Sequence, residues 1–555
     1  MSKRYRELVA DFETTPDPDD CRVWAWAIAN ISDNPTTTYG TELEDFLSDV
    51  SRFDANVWFH NLKFDGAFIM DWLLRNNYDH TEDRPRSGQF STLISGMGDH
   101  YQIEVKWHTG HTTRFKDSHK KLPMSVANVA ITFNLDELKG DIDHAKYRPP
   151  GYRPTADEWD YVRRDVEIMA QAMNQRIIDG RKLTTGSDAL QDYKKVLGTK
   201  RFEKFFPILH EDMDKTVRLA YRGGYTYANP RFTEQQTGHG SVYDVNSLYP
   251  FVMNSKPLPY GYPDFFDAYP PHDGLYIVSI TFTAQLRDGF LPMIQIKNSF
   301  RFSPTEYQTH ITEPTTMVVT NIDLELMHEH YHLNILSYNG GLAFKYATGF
   351  FGEYIEKWSK IKEESTGGQR EIAKLFLNSL YGKFATNPDI TGKVPVLDEE
   401  TDTVQLVQGE PSTRDPVYTP MGVFITSWAR DVMIRAAQAN VEVFAYCDTD
   451  SLHVLTWDTP RGVEVDPKKL GAWDHEYDFT AAVFLRAKRY AERLTPGYAE
   501  KMGREVVVKI AGAPENITKS MTLDDMIVGK KFDGKLQPSR VPGGIVLTET
   551  TFTLQ

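Results

Sequence analysis

The sequence contains almost no cysteine, since Cys21 and Cys447 are the only 2 among 555 residues. So few thiols exclude a disulfide framework and a cysteine-based zinc site, and they are typical of a reducing compartment. The chain also lacks an apolar run of about 18 residues, and the segment Met1–Arg6 leads into a predicted strand rather than an apolar signal core. We therefore expect a cytoplasmic protein without a membrane partner.

A surplus of positive charge is absent as well, since 62 Lys and Arg stand against 77 Asp and Glu, a net charge of -15. This balance argues mildly against nucleic-acid binding, which needs cations to neutralise phosphates. The segment Tyr193–Phe206 differs, because it interleaves cations with aromatic residues in a composition suited to backbone contacts and base stacking. A solvated helix face explains that segment equally well. The length and the 40% hydrophobic content predict several globular domains.

A first group of acids lies near the N-terminus. Leu8–Glu13 is predicted to be a buried strand, on which Asp11 and Glu13 point to the same face. Two acids on one face indicate a metal site, although an edge strand with a polar face is the alternative. Asp65 follows a predicted strand, Asn56–His60, and precedes an apolar helix at 66–74, where it either ligates metal or caps the helix.

Two more polar residues of this group lie on a predicted helix. Thr155 begins a capping box, which predicts a helix from there to about Ile178. Tyr161 and Asp165 are four residues apart on one face of it, a spacing that taken alone describes surface decoration. Together with the other acids the set offers oxygens for two magnesium ions, and Tyr161 can orient a water. The four carboxylates are those of Asp11, Glu13, Asp65 and Asp165.

A second group of acids lies in the hexapeptide Tyr446–Ser451. The segments Val441–Ala445 and Leu452–Leu455 on either side are apolar and β-branched, so the pattern predicts a β-hairpin with Asp448 and Asp450 at its tip. These two acids lie about 6.5 Å apart along the chain, close enough to share cations. An ordinary acidic turn is the alternative.

Asp244 supplies the acid that the hairpin needs for two metal ions. It ends a short predicted strand, Ser241–Asp244, and a short helix is expected directly after it. With Asp448 and Asp450 it can bind two magnesium ions, which coordinate triphosphate oxygens and lower the pKa of an attacking hydroxyl.

The segment Gln369–Phe384 is predicted to be a helix with two different faces. At about 100° per residue, one stripe is apolar and the other is polar. The polar stripe suits a nucleotide, because two cations and an amide can bind phosphate oxygens while a tyrosine stacks beside the base. An ordinary amphipathic helix is the alternative. The polar stripe consists of Arg370, Lys374, Asn378 and Tyr381, and the apolar one of Ile372, Phe376 and Leu380.

These motifs occur together in one family. Asp244-x-x-Ser247-Leu248-Tyr249-Pro250, Lys374–Gly382 and Tyr446-x-Asp448-Thr449-Asp450-Ser451 resemble, in this order, the three polymerase motifs of family B DNA polymerases. The N-terminal acids with Tyr161 resemble the exonuclease motifs of proofreading polymerases. From Asp11 to Thr553 the chain resembles the protein-primed branch found in small tailed phages, the phi-29 type.

The resemblance implies an α/β and α+β multidomain fold: an RNase H-like exonuclease domain followed by a right hand of palm, fingers and thumb with two insertions. The implied domains are the 3'-5' exonuclease at 1–185, the first part of the palm at 186–255, terminal-protein region one at 256–349, the fingers at 350–388, the terminal-protein region two hairpin at 389–410, the second part of the palm at 411–520 and the thumb at 521–555. In the family, the 389–410 hairpin closes a ring around DNA.

The resemblance also assigns roles at the polymerase site. Asp244 and Asp450 are the essential metal ligands, Asp448 is their helper and Val245 is a main-chain ligand. Tyr249 lies beneath the sugar and excludes ribonucleotides. The remaining nucleotide contacts are Lys362, Arg370, Lys374, Asn378 and Tyr381. The DNA contacts are Tyr221, Gly223, Gly224, Lys488 and Tyr490, of which Lys488 and Tyr490 support the primer terminus.

At the exonuclease site, the resemblance assigns a strand-binding role to four residues, and Lys139 assists hydrolysis. His119 departs from the family, where an apolar residue is expected, and this affects the contact with the frayed strand rather than the metal chemistry. The four residues that hold single-stranded DNA are Thr14, Asn61, Phe64 and Ser118.

The function implied is processive, strand-displacing DNA synthesis with 3'-5' proofreading and protein-primed initiation. We expect two Mg²⁺ ions per site, which Mn²⁺ can replace, and as partners primer-template DNA, dNTPs and a terminal protein. We also expect a monomer in the host cytoplasm. Two alternatives stay open: a family B polymerase that extends nucleic-acid primers only, and a non-catalytic replication scaffold.

Overall fold

The computed structural model describes residues 5–136, 139–175, 182–296 and 307–555. The N-terminal part contains the following elements: β1 Arg6–Thr14, β2 Val23–Asn30, β3 Thr37–Gly40, α1 Leu43–Val50, β4 Ala55–Phe59, α2 Leu62–Arg75, β5 Asp79–His80, β6 Gln89–Ile94, β7 His100–Lys106, β8 Thr112–Asp117, α3 Val126–Thr132 and α4 Ala156–Asn174. Within the described ranges, no helix is both long and apolar enough to cross a membrane.

The strands of this part form one eight-stranded sheet in the order β3-β2-β1-β4-β8-β7-β6-β5. Strand β1 is parallel to β4 and antiparallel to β2. Alternate residues of β1 enter different cores: Val9 packs on the side of α4, and Phe12 on the side of α2. The predicted strand at Leu8–Glu13 is therefore confirmed, and its acidic face is turned toward α4.

The predicted helices of this part are confirmed with shifted ends. The capping box at Thr155 is present, and the helix that it begins ends at Asn174, while the predicted end at Ile178 lies outside the described residues. The predicted helix at 66–74 begins earlier, at Leu62. Asn61 occupies the N-cap position in a left-handed conformation with φ 84°, without a capping hydrogen bond from its side chain. Asp65 consequently lies inside the first turn and does not cap the helix. Met1–Arg4 and the start of the proposed domain boundary at Gly180 also lie outside the described residues.

The middle of the chain adds helices and a separate sheet. Its elements are α5 Thr185–Leu197, α6 Thr199–Phe205, α7 Glu211–Leu219, β9 Thr226–Ala228, β10 Gln236–Thr237, β11 Gly240–Val245, α8 Leu248–Ser255, β12 Leu258–Phe266, β13 Leu275–Leu286, β14 His310–Thr320, α9 Asn321–His330 and β15 Tyr331–Ala347. The last four strands form a sheet of their own in the order β12-β15-β13-β14, which coincides with the first predicted insertion.

The C-terminal part completes a second large sheet. Its elements are α10 Gly352–Glu364, α11 Gly367–Phe384, β16 Lys393–Asp398, β17 Thr403–Gln408, α12 Thr419–Ala439, β18 Phe444–Asp448, β19 Ser451–Val454, β20 Trp473–Arg486, β21 Arg489–Leu494, α13 Pro496–Met502, β22 Val506–Ile510, α14 Glu515–Ser520, β23 Lys531–Val541 and β24 Gly544–Thr553. The second sheet has the order β22-β21-β20-β11-β19-β18-β9. Strand β11 therefore lies between β20 and β19, which both come much later in the chain.

Two expectations for these regions need correction. The strand predicted at Val441–Ala445 begins only at Phe444, because α12 continues to Ala439 and a turn at Asn440 accepts the backbone N–H groups of Val443 and Phe444. The aromatic residues between 193 and 206 are mostly in the core, where their rings are not accessible for base stacking. Those buried there are Tyr193, Phe202 and Phe206.

The predicted hairpin at 389–410 is confirmed as the two-stranded sheet of β16 and β17. The hairpin packs against two other parts of the chain. Leu406 packs against the core of the N-terminal sheet, and Arg75 on α2 binds the side chain and the carbonyl of Asp402, each at 2.8 Å. On its other side Arg540 of β23 donates to the carbonyl of Val404 at 2.7 Å.

Candidate active sites

The first acid cluster forms where β1 meets α4. Asp11 and Glu13 extend from one face of β1, and Asp165 reaches them from α4, so that ligand oxygens of all three lie within 4.8 Å of one another. Asp65 approaches from the first turn of α2 and is only 4% exposed. Tertiary packing thus gathers four carboxylates that are far apart in sequence, as the pattern predicted.

Burial and mutual repulsion disfavour the charged forms of these acids. Burial and the nearby Asp165 raise the pKa of Asp11 to about 7. Burial and Asp11 raise the pKa values of Glu13 and Asp65 well above their ordinary range. In addition, Oδ1 of Asp165 is buried without a hydrogen-bond partner among the described residues. An unpaired carboxylate oxygen among repelling acids is the environment that a divalent cation neutralises, so this cluster fits a metal.

Lys139 and Tyr161 border the first cluster. Lys139 Nζ donates to Asp165 Oδ2 at 2.8 Å and lies 5.4 Å from the centre of the Tyr161 ring. Burial lowers the pKa of Lys139, but Asp165 and Tyr161 outweigh that effect and raise it. His144, which sequence reasoning missed, places Nδ1 3.7 Å from Glu13 Oε2. No periodic pattern distinguishes His144, because it lies in a loop.

The residues assigned to single-stranded DNA differ in accessibility. Asn61 is exposed, whereas Thr14 and Phe64 are half-buried. Ser118 is buried, and its hydroxyl donates to the carbonyl of Phe59 at 2.9 Å. Exposed His119 lies edge-on to the ring of His60, with centroids 5.3 Å apart. His119 therefore adds an exposed polar ring beside His60.

The second acid cluster is assembled by strand pairing. Ser451 of β19 lies opposite Asp244 of β11 on one side and opposite Asp448 of β18 on the other. The turn between β18 and β19 then brings Asp450 beside β11, where its carbonyl accepts from the N–H of Val245 at 2.9 Å. The three predicted acids therefore meet at one end of the second sheet.

This second cluster also fits a divalent cation. Burial and Asp450 raise the pKa of Asp244 to about 8, and burial and Asp448 raise that of Asp450 to about 6. Oδ1 of Asp244 is buried and has no hydrogen-bond partner in the described part of the chain. Asp474 and Glu476 of β20 contribute to the raised pKa of Asp244, and Asp474 lies opposite Asp244 in the ladder. Sequence reasoning missed these two acids, although their two-residue spacing on a strand is a usable signal.

Asp448 differs from its two neighbours because it is already paired. Lys488 Nζ donates to its two carboxylate oxygens at 2.8 and 3.0 Å, and Thr226 Oγ1 donates at 3.0 Å. A groove of about 590 Å³ opens beside these residues. Its lining includes Asp448, Asp450, Lys488, Tyr490 and Lys509.

The helix α11 presents the predicted polar stripe, because Arg370, Lys374 and Asn378 are exposed while the apolar stripe is buried. Lys362 of α10 joins these cations: burial, Arg370 and Lys374 lower its pKa, and its amine lies 3.5 Å from Ser247 Oγ beside the second cluster. A concentration of cations next to paired acids suits a triphosphate bound to metal.

Tyr249 and Tyr381 stack on each other between α8 and α11. Their ring centres are 3.8 Å apart and the rings are inclined by 17°. Burial raises the pKa of both hydroxyls, and Asp450 contributes to the rise in each. The pair thus places two stacked aromatic rings beside the second cluster.

The loop Tyr221–Gly224 is anchored by a residue that sequence reasoning missed. Arg430 of α12 donates to the carbonyls of Arg222 and Gly223 at 2.8 and 2.9 Å and forms a bidentate ion pair with Asp323 of α9. A Cβ at Gly224 would lie 3.0 Å from the side chain of Thr449, so Gly224 allows the loop to approach the acidic turn. Gly223 faces open space.

Comparisons with known proteins agree with this architecture. The family model described as DNA polymerase type B, organellar and viral, matches residues 52–153 and 145–464. The DNA polymerase of Bacillus phage PZA is 44% identical, and the alignment covers 98% of this chain and 99% of the relative. The structure of Phi29 DNA polymerase with primer-template DNA and incoming nucleotide matches with a TM-score of 0.93, 43% identity and 100% coverage of both chains. The structure of that polymerase with single-stranded DNA also has a TM-score of 0.93, with 42% identity and 100% coverage of both chains.

Proposed function

Since the chain belongs to the type B DNA polymerases of organelles and viruses and is a phage-type DNA-directed DNA polymerase, we propose that it couples DNA synthesis to 3'-5' proofreading. In this proposal the second acid cluster synthesises and the first one degrades. The observation that carries it is the presence of two separate groups of buried or half-buried, repelling carboxylates, each with one buried oxygen that has no hydrogen-bond partner among the described residues.

The family uses divalent metal ions, and we propose Mg²⁺ at both clusters. When bound at the second cluster, two such ions activate the primer hydroxyl and neutralise the triphosphate. Asp244 and Asp450 hold them, with the Val245 carbonyl as a further ligand and Asp448 as a helper. Asp448 already has a cationic partner in Lys488, which agrees with the secondary role.

The nucleotide is held by residues of α10 and α11. Lys362, Arg370 and Lys374 bind phosphate oxygens, because their cations are concentrated next to the acids. The amide of Asn378 binds a phosphate oxygen as well, Tyr381 stacks beside the base, and Tyr249 blocks a 2' hydroxyl. Tyr249 is suited to this because its stack with Tyr381 fixes the ring.

We propose that primer-template DNA occupies the groove beside Asp448, since Lys488 and Tyr490 line it. Tyr221, Gly223 and Gly224 add a second contact, which Arg430 holds in place. The solved Phi29 polymerase complexes contain primer-template DNA in one case and single-stranded DNA in another. This similarity supports the same ligands here.

For the first cluster, we propose hydrolysis of a frayed 3' end. Asp11, Glu13, Asp65 and Asp165 bind two metal ions. Tyr161 orients the water, and Lys139 stabilises Asp165 through their hydrogen bond at 2.8 Å. The frayed strand is held by Thr14, Asn61, Phe64 and Ser118.

We propose the domain division expected from the sequence: exonuclease at 1–185, palm at 186–255 and 411–520, fingers at 350–388, thumb at 521–555 and insertions at 256–349 and 389–410. We propose that the hairpin at 389–410 closes a ring around DNA. Its contacts with Arg540 near the C-terminus and with Arg75 on α2 support this, because they bridge three regions of the chain. A closed ring favours long products and displacement of the downstream strand.

Protein-primed initiation is proposed for the 256–349 insertion, with a terminal protein as the partner of a monomeric enzyme in the cytoplasm of a phage-infected host. Four aromatic side chains of this insertion are exposed in the part that the structure describes, and aromatic surface is typical of protein interfaces. They are Tyr262, Phe265, Tyr269 and Tyr346, of which Phe265 at 71% and Tyr269 at 79% are the most exposed. Incubation with a terminal protein and labelled dATP should give a labelled protein. Labelling of a nucleic-acid primer alone would favour the conventional family B alternative.

Extension of a primed circular single strand, without accessory factors, tests the whole proposal. We expect synthesis by the wild-type chain and degradation of the primer when dNTPs are withheld. Synthesis without degradation would remove the proofreading part, and no synthesis would favour the non-catalytic scaffold.

A further inference from the structure

A buried polar pair that no step above uses lies beneath the second acid cluster. His453 of β19 is 1% exposed and Glu492 of β21 is 0% exposed. The Nδ1 atom of His453 lies 2.7 Å from Glu492 Oε1, and the hydroxyl of Tyr477 donates to Glu492 Oε2 at 2.7 Å. A buried carboxylate is costly unless donors surround it, so these two bonds determine where Glu492 and His453 lie.

The imidazole of His453 is enclosed by aromatic rings. Its centroid is 5.1 Å from that of Tyr446, 4.9 Å from that of Tyr490 and 6.0 Å from that of Phe484, and each ring meets it edge to face. Its Nε2 is buried without a hydrogen-bond partner among the residues the structure describes. The bond to Glu492 is therefore the polar contact that orients this ring between the two tyrosines.

The two tyrosines connect the buried pair to residues that line the groove. The hydroxyl of Tyr446 accepts from the backbone N–H of Lys488 at 2.9 Å and lies 3.4 Å from Asp448 Oδ2. Tyr490 lines the groove beside Asp448 and Lys488, and its ring centre is 4.9 Å from that of Tyr446. A shift of the imidazole would consequently displace the two rings that support this wall of the groove.

We propose that His453 and Glu492 are positioning residues for DNA synthesis, which hold Tyr446 and Tyr490 from below and so set the position of Lys488 and of the wall that receives the primer. The proposal rests on the primer-binding role proposed above for Lys488 and Tyr490. It goes beyond that role, because neither His453 nor Glu492 reaches the groove.

Three variants test the pair. Glu492→Leu removes both hydrogen bonds at similar volume. Glu492→Gln keeps an acceptor for His453 and can donate to Tyr477, so it is the conservative rescue. Thr237→Val is the matched control, because it removes a buried hydrogen bond of the same sheet, from Thr237 to the carbonyl of Ala482, and Thr237 does not line the groove. Steady-state addition of one nucleotide is measured against primer-template and against dNTP concentration, and the thermal midpoint of each variant is recorded.

We expect Glu492→Leu to raise the KM for primer-template about tenfold, a size typical of losing a group that orients an active-site residue. The KM for dNTP should stay within about twofold, since the proposed nucleotide contacts lie on α8, α10 and α11, whereas His453 and Glu492 lie on strands of the second sheet. Glu492→Gln should restore the primer KM, and Thr237→Val should leave it unchanged even if its thermal midpoint falls as much as that of Glu492→Leu.

An unchanged primer KM in folded Glu492→Leu would overturn the inference, and so would an equal rise of both KM values or an equal effect of Thr237→Val. If Glu492→Leu does not fold, the double variant Tyr477→Phe/Glu492→Leu is measured instead, because it leaves no unpaired buried hydroxyl. Lys488→Ala separates this test from the proposed function: an unchanged primer KM there would refute the primer role itself.

Discussion

The two acid clusters are built by different parts of the fold. In the second cluster, Asp244 and Asp448 are placed by strand pairing with Ser451, so backbone hydrogen bonds set their spacing. In the first cluster, β1 carries Asp11, but Asp165 arrives on a separate helix and only side-chain packing sets the distance. Sheet register is fixed in steps of one residue, whereas helix packing shifts continuously. The first cluster should therefore be the one more sensitive to changes in its surroundings.

The largest effect expected from this comparison is a separation of activities. Asp244→Ala or Asp450→Ala should lower synthesis at least about 1000-fold while degradation of single strands persists, because the ligands of only one cluster are removed. The double variant Asp11→Ala/Asp65→Ala should do the reverse. Primer extension and degradation of a labelled single strand are measured on the same preparations. Loss of both activities from any folded variant would contradict the division.

A second large effect concerns ribonucleotides, which only the synthetic cluster has to exclude. Tyr249→Val should raise incorporation of ribonucleotides about 100-fold, since one steric contact is lost. Tyr249→Phe is the control and should keep discrimination, because the ring remains stacked on Tyr381. The ratio of kcat/KM for dNTP and rNTP decides the matter. An unchanged ratio in Tyr249→Val would place the barrier at another residue.

Replacement of residues 389–410 by a short Gly-Ser linker tests whether the hairpin serves synthesis without touching the chemistry. We expect addition of a single nucleotide to stay within about twofold, while product length under a DNA trap falls at least about tenfold because dissociation accelerates. Strand displacement should fall with it. Arg75→Ala removes the ion pair between α2 and Asp402 of the hairpin, together with the pair of Arg75 and Asp71 within α2, and should give products of intermediate length. Full-length products from the deletion would refute the ring.

A smaller effect follows from the raised pKa values of Asp11, about 7, and Asp244, about 8. Both lie above the ordinary value of 3.8, so the folded chain binds more protons than the unfolded one and the free energy of unfolding falls as pH rises from about 4 to about 8. In EDTA, the thermal midpoint should therefore drop by about 2 to 4 °C between about pH 6 and about pH 8.

Mg²⁺ should reverse most of this drop, because it neutralises the repelling carboxylates. Scanning calorimetry of the wild-type chain and of Asp11→Asn measures the contribution of the first cluster, which should shrink in the variant. A midpoint that rises with pH in EDTA would contradict the raised pKa values.

Local patterns predicted most of what positions the acids. The alternation at Leu8–Glu13, the capping box at Thr155 and the polar stripe of α11 were all confirmed, since each depends on neighbours within a few residues. The predicted start of the strand before Tyr446 was wrong, because the β-branched residues Val441 and Val443 also fit the turn that follows α12.

Contacts between distant segments could not be predicted from one sequence. Arg430 and Asp323 are 107 positions apart, and His453 and Glu492 are 39 apart. In isolation each looks like an ordinary surface residue, and only the completed sheets and helices reveal that it is buried and paired. The aromatic residues between 193 and 206 were misjudged for the same reason, because Tyr193 stacks on Phe351, which lies in a remote segment.

The central claim is that the chain holds two independent cation sites. Anomalous diffraction from crystals soaked in Mn²⁺ tests it most directly, with wild-type and Asp450→Asn crystals grown alike. Two independent cation sites should give manganese peaks at both clusters in the wild type and loss of the peaks beside Asp244 alone in the variant. Peaks at one cluster only in the wild type, or loss from both in the variant, would contradict it.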